Sequence, residues 1–339
     1  MSSAVHAHRL TSQRLAGPPA TSVEEVVQHL LAVQAQDLRG ARLAVRARST
    51  GLTSADVAAA LAAGSVVVGW LNRGTLHLVR REDYWWLHAL TAPTMRAGNV
   101  RRLAQEGVSP EQAELGVDAV VRELAAGPRD RDQLREVVRA AGVPVAGQAL
   151  VHVLSLAALR GLVVRGPMAG ALQAFVLAHD WLGPPPPFDR DAALAELARR
   201  YLRGHAPADA RDLARWAGLP LQAARQGLAA VDHELVHLAD GRSALAGRPA
   251  AEPVPPPRLL GPFEPVLLGW TSRSDVVGDH RQLVTDNGVF RAFAMVDGRA
   301  VATWSYADRR VTTTLLEALQ PDVVGALEAD ARAVEAFLG

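Results

Sequence analysis

Lysine and cysteine are both missing from the 339-residue sequence, so all 36 basic residues are arginine. Without lysine there is no side-chain Schiff-base nucleophile and no phosphate-loop lysine. Without cysteine there is no disulfide framework, thiol nucleophile or thiolate metal site, which suits an intracellular setting. No apolar run approaches the length of a membrane span; residues 66–71 are strand-sized. The N-terminus lacks the apolar core of a secretory signal. A cytoplasmic protein with no membrane partner is therefore expected. No second histidine stands at metal-ligand spacing to His77, and neither a metal nor another cofactor is expected.

What is present bounds the fold. A 49% hydrophobic content over this length supports a large core and two to four domains. The net charge of +1 conceals an asymmetry: residues 1–170 carry +5 and residues 171–339 carry −4. A modestly basic first half is compatible with a phosphate-bearing partner. The Ala, Arg, Gly and Pro bias matches a GC-rich genome, so arginine abundance alone says little about function.

A unit of two or three short helices followed by a β-hairpin recurs. In the first copy, residues 23–32 and 54–63 read as helices, with Ser54 as N-cap and Gly64 as the stop. Strands at 66–71 and 75–80 flank the turn Asn72-Arg73-Gly74, and a helix begins at 81–90. The second copy has helices at 111–126, 130–140 and 147–160, then strands at 162–165 and 172–177. The third follows the polyproline stretch 184–187, with helices at 191–203, 209–217 and 220–231 and a wing at 235–238 and 243–245. After a second proline-rich linker at 253–257, strands are expected at 259–268, 280–285, 289–296 and 300–306. A helix is expected at 322–338. The expected class is α+β: three tandem winged-helix units (1–105, 106–183, 188–250), then a small antiparallel β-sheet or barrel with a C-terminal helix (258–339). Winged helices bind nucleic acid, but they also serve as protein-binding modules.

Gln34-Ala35-Gln36 closes the apolar stretch of the first helix. Alternate side chains share a face only in an extended backbone, so the two amides meet only if the helix ends near Ala32. Otherwise they merely cap a helix end or face water. Asp37 points away from both glutamines in an extended chain and reads as structural, beside Arg39 or Arg42. Arg39, Arg42, Arg46 and Arg48 are either phosphate contacts or ordinary solvated arginines. His77 is either a strand histidine bonded to backbone or a residue near the site. Trp85, Trp86 and Trp270 read as core or interface aromatics, with base stacking by Trp270 as the lesser alternative. The wing turn 166–170 lacks the spacing and the lysine of a phosphate loop.

The segments Val33-Gln34-Ala35-Gln36-Asp37, Arg73-Gly74-Thr75-Leu76-His77-Leu78 and Leu259 through Gly269 resemble the AlkZ/YcaQ family of bacterial winged-helix DNA glycosylases. Asn287-Gly288-Val289-Phe290, Asp297-Gly298-Arg299 and Thr303-Trp304 extend the resemblance over nearly the whole chain. Glu264 stands where many relatives have Asp. The resemblance implies hydrolysis of N-glycosidic bonds of alkylated purines, including interstrand crosslinks through guanine N7. The Gln-x-Gln motif places the chain with the AlkZ branch and makes Gln34 and Gln36 catalytic. Arg39, Arg42, Arg73, Thr75, His77 and Asn287 are the DNA-contact candidates, and the hairpin at 286–288 is the candidate for groove insertion. The implied partner is double-stranded DNA with alkylated or crosslinked guanine, bound by a monomer.

The chemistry suits amides. An N7-alkylated guanine is cationic and leaves as a neutral base, so strong acid catalysis is unnecessary. Glutamine carbonyls can position a water at C1′ and present a negative dipole to an oxocarbenium-like sugar. That task falls jointly to Gln34 and Gln36. Missing lysines argue against β-lyase activity. The rival reading is a non-enzymatic winged-helix regulator, in which the glutamine pair has no use.

Overall fold

The computed structural model describes residues 3–170, 172–285 and 288–339. The fold is mixed α+β with antiparallel sheets. The expected turn residues Asp286 and Asn287 lie outside the described residues. The chain divides into two compact units. One comprises Met1–Val57, Leu194–Trp216 and Pro220–Gly339, the other Ala58–Ala193 with Ala217–Leu219.

The second unit is organised around hairpins. Strands Val66–Leu71 and Thr75–Arg80 fall where their apolar patterning puts them, and Arg73 (φ 59°) with Gly74 (φ 77°) supplies the positive φ angles of the tight connection. Strands Val163–Ala169 and Leu172–Leu177 form a second hairpin. The two hairpins join through Val68 opposite Arg165, giving the strand order 75–80, 66–71, 163–169, 172–177 within this unit. The helix expected at 81–90 continues through Pro93 to Gln105. Its packing against helix Ala149–Leu159 carries it past a residue that removes a helical hydrogen bond. Helices Pro110–Leu124 and Arg131–Ala140 both begin with capping boxes, at Ser109/Gln112 and Asp130/Gln133. The helix Ser54–Ala63 starts one residue differently from expectation. Thr53 precedes it and binds Asp56 through both N–H and hydroxyl at 2.7 Å, so Ser54 is inside the helix.

In the first unit the C-terminal region departs from its expected strands. Of residues 259–268 only Leu259 and Leu260 are extended, in strand Arg258–Leu260, because Pro265 starts the short helix Pro265–Leu268 and Glu264 caps it. The expected strand 280–285 is replaced by a 3₁₀ turn at Arg281–Leu283. An unexpected strand, Arg310–Leu315, pairs with Arg299–Ala307. The resulting antiparallel sheet runs in the order 310–315, 299–307, 293–296, 258–260. Helix Pro321–Leu338 covers it, burying Leu327, Val334 and Phe337 against Leu259, Ala302 and Trp304. Leu43, from the helix that follows the glutamine pair, enters the same apolar cluster. The sheet core thus holds that helix in place.

Candidate active site

Helix Val23–Leu30 begins with Ser22 accepting from the Glu25 N–H and buries Val23, Val26, Val27 and Leu30. It ends abruptly. Leu31 adopts φ 67° and ψ −49°, near the γ-turn region that is rare and strained for a branched residue. Complete burial of the Leu31 side chain holds it there. Arg200 donates to the Gln28 carbonyl at 2.7 Å, satisfying one carbonyl left open where the helix stops and placing a cation at the negative helix end.

The reversal delivers Val33 and Gln34 as extended chain. Val33 and Ala35 point into the core, at 0% and 2% exposure, which explains a small residue between the glutamines. Gln34 and Gln36 therefore share the other face. The Gln34 Nε2 donates to the Gln36 Oε1 at 2.7 Å. Gln34 is buried while Gln36 is exposed, so one amide orients another that reaches solvent. The bond polarises the Gln36 carbonyl and leaves it a second lone pair.

Asp37 then starts the next helix, Leu38–Arg46, as its N-cap. Its Oδ1 accepts from the Gly40 N–H at 3.1 Å, a structural role made through the backbone. Gly40 lies directly against the Gly261-Pro262 turn: a β-carbon there would stand 2.4 Å from the Pro262 carbonyl oxygen.

The arginines after the motif have different fates. Arg39 is exposed, donates to the Tyr306 carbonyl at 3.5 Å, and lies 5.9 Å above the Tyr306 ring. Arg42 is half-buried, and its Nε lacks a hydrogen-bond partner among the described residues. Burial lowers its pKa. Arg46 and Arg48 are each held by a carboxylate of the chain. Arg46 is bound to Asp330 at 2.6 Å. The Arg48 side chain, wholly buried, reaches Glu264 at 2.5 Å, the Gln13 carbonyl and side chain, and the Ala44 carbonyl. These carboxylate partners come from distant sequence, so local spacing offered no sign of them.

Arg73, Thr75 and His77 belong to the other unit. Thr75 Oγ1 donates to the Asn72 carbonyl at 3.2 Å. His77 is buried and its Nδ1 bonds the Thr75 carbonyl at 3.0 Å, as in the backbone-bonded reading. Burial first, then the Arg73 charge, lowers its pKa to about 3, so the ring is neutral at pH 7. Asn72, the first residue of the turn, is fully buried with neither amide atom hydrogen-bonded among the described residues. Such a group costs about 1–3 kcal/mol, which marks the turn as more than a connection. Trp270 is a core residue: its Nε1 donates to the His205 carbonyl at 2.8 Å, and Arg9 lies 4.4 Å over its ring. Asn287 lies outside the described residues.

Comparison with known proteins gives the class: a DNA glycosylase of mixed α+β fold with antiparallel sheets. The family model for AlkZ-like DNA glycosylases matches residues 27–339, and the chain belongs to that family. It is 29% identical over 336 residues to a Streptomyces sahachiroi protein named interstrand DNA cross-link repair glycosylase, covering 91% of this chain and 89% of that one. It is also similar to the solved structure of the Streptomyces sahachiroi DNA glycosylase AlkZ. There the TM-score is 0.80 and the identity 26%, over 99% of this chain and 96% of the other.

Proposed function

We propose that this DNA glycosylase is monofunctional and hydrolyses the N-glycosidic bond of N7-alkylated guanine in double-stranded DNA. Bulky adducts and interstrand crosslinks fall within its range, whether in repair or in self-resistance to a DNA-alkylating natural product. The observation that carries this reading is the Gln34–Gln36 hydrogen bond on one face of an extended segment. The name of the Streptomyces relative supports the crosslink assignment.

In this reading the exposed Gln36 uses its remaining lone pair to hold a water toward C1′, and its carbonyl dipole stabilises the oxocarbenium-like sugar. Gln34 shares the task by fixing the Gln36 amide. As the bond breaks its electron pair passes to the cationic base, which leaves neutral while positive charge develops on the sugar, so no acid is needed. Amides are weak bases, which confines the reaction to cationic lesions. With no lysine in the chain, the abasic product is left uncleaved. The helix-and-hairpin segments are read as three winged-helix units that grip the duplex, with Arg39, Arg42, Arg73 and Thr75 among the DNA contacts and His77 as a neutral support. The protein acts as a cytoplasmic monomer.

The test is incubation of the purified protein with duplexes containing N7-methylguanine, an N7-linked crosslink or no lesion, followed by alkaline cleavage. Abasic sites are expected from both lesions and none from the unmodified duplex. DNA binding without excision of any cationic adduct sinks the proposal.

A further inference from the structure

A cavity of about 500 Å³ opens within the second unit, between the Asn72–Gly74 turn and helices Arg81–Gln105 and Ala149–Leu159. Arg73, Thr94, Asn99, Arg102, His152 and Ser155 are among its lining residues. None of the described lining residues is a carboxylate, and Arg73 and Arg102 bring two guanidinium groups to the wall. Arg102 is exposed, and it bonds the neutral amide oxygen of Gln105 at 3.1 Å, so its charge stays available.

The wall beside these cations is built and not merely exposed surface. Asn99 is 7% exposed and its Nδ2 donates to the His152 carbonyl at 3.1 Å. That bond fixes the amide, and the Oδ1 has no donor among the described residues. Ser155, also 7% exposed, adds a hydroxyl to the same wall. A buried acceptor kept without a donor is a loss that folding alone does not explain.

We infer that this cavity is a nucleotide subsite, with a phosphate held by Arg73 and Arg102 and a base-edge N–H donated to Asn99 Oδ1. Cations take the phosphate because guanidinium–phosphate hydrogen bonds are charge-assisted. The buried amide supplies the acceptor that a base amino or imino group needs, and the Ser155 hydroxyl serves either polarity. Placing a nucleotide of the duplex here rests on the reading of DNA as substrate. A free nucleotide shares the same chemistry.

The test measures binding of unmodified duplex across a salt series by wild type, Arg102→Gln and Asn99→Leu, with thermal melting in parallel. Losing one phosphate contact reduces the slope of log affinity against log salt by about 0.9, the result expected for Arg102→Gln. Asn99→Leu is expected to weaken binding about tenfold, the equivalent of one buried hydrogen bond, with melting unchanged or raised because an orphan acceptor is gone. Deoxyguanosine monophosphate is titrated in the second arm. If both variants abolish its binding but leave duplex affinity and slope intact, the subsite stands and its ligand is a free nucleotide. If neither duplex nor monophosphate binding distinguishes the variants from wild type, the inference is overturned. No excision enters either readout, so failure of the glycosylase reading and failure of this site are separable.

Discussion

Gly40→Ala tests how the site is held, because two effects of the same methyl group oppose each other. Inside a helix, Gly to Ala ordinarily stabilises by about 0.5–1 kcal/mol. At Gly40 the new carbon would stand 2.4 Å from the Pro262 carbonyl oxygen and 3.1 Å from its Cγ. The nearest atom is backbone, so relief requires moving the Gly261-Pro262 turn or the start of helix Leu38–Arg46. Overpacking of this kind costs about 1–3 kcal/mol. The shift also disturbs the Asp37 cap, which ends on the Gly40 N–H. The expected net result is destabilisation of about 1 kcal/mol or more in urea unfolding. Excision by the folded variant should also slow, since Asp37 directly follows Gln36. Gly325→Ala is the control: it lies inside helix Pro321–Leu338, and an added β-carbon meets nothing within 4 Å. That variant should gain stability. If Gly40→Ala gains it equally, the close approach to Pro262 does not govern this helix and the argument fails.

Three further outcomes follow. Glu264→Ala leaves Arg48 buried without its carboxylate and is expected to cost about 3–5 kcal/mol by urea unfolding; a loss under 1 kcal/mol would mean that the Gln13 and Ala44 oxygens suffice. Asp37→Ala should cost about 1 kcal/mol through the lost cap, and Asp37→Asn much less, whereas equal losses in melting would contradict the capping role. Burial lowers the pKa of His29 to about 4 and those of His77 and His205 to about 3, from an ordinary 6.5. The unfolded chain therefore binds more protons below pH 6.5, and these groups' stabilisation is fully present above that value. It should decline as pH falls toward 4, by up to about 1.4 kcal/mol per pH unit for each histidine. Melting temperatures flat from pH 6.5 to 4.5 would refute the neutral burial of these rings.

Local patterning made part of this structure legible. The hairpin at 66–80 was readable because apolar strands flank Asn72-Arg73-Gly74, whose last two residues do take positive φ. The shared face of Gln34 and Gln36 was conditional on a helix end near Ala32. The end comes at Leu30 through the strained Leu31, and leucine in sequence gives no hint of such a turn. The strand expected at 259–268 failed because an apolar run outweighed Pro265, which starts a helix there. Strand Arg310–Leu315 carries no alternating pattern, because its side chains are mostly exposed, although Val311 and Thr312 to Thr314 favour β structure. The Arg48–Glu264 pair spans 216 residues, and no local pattern can announce it. Asn72 looked like turn chemistry alone until its burial showed both amide atoms without partners.

The central claim is that a hydrogen-bonded amide pair performs the hydrolysis, and single-turnover excision of N7-methylguanine at saturating protein tests it most directly. Gln36→Ala is expected to slow the chemical step about 100-fold or more, as removal of one preorganised dipole does, with duplex affinity unchanged. Gln34→Ala should slow the same step by releasing the Gln36 amide. Rates within a few-fold of wild type for both variants would contradict the account.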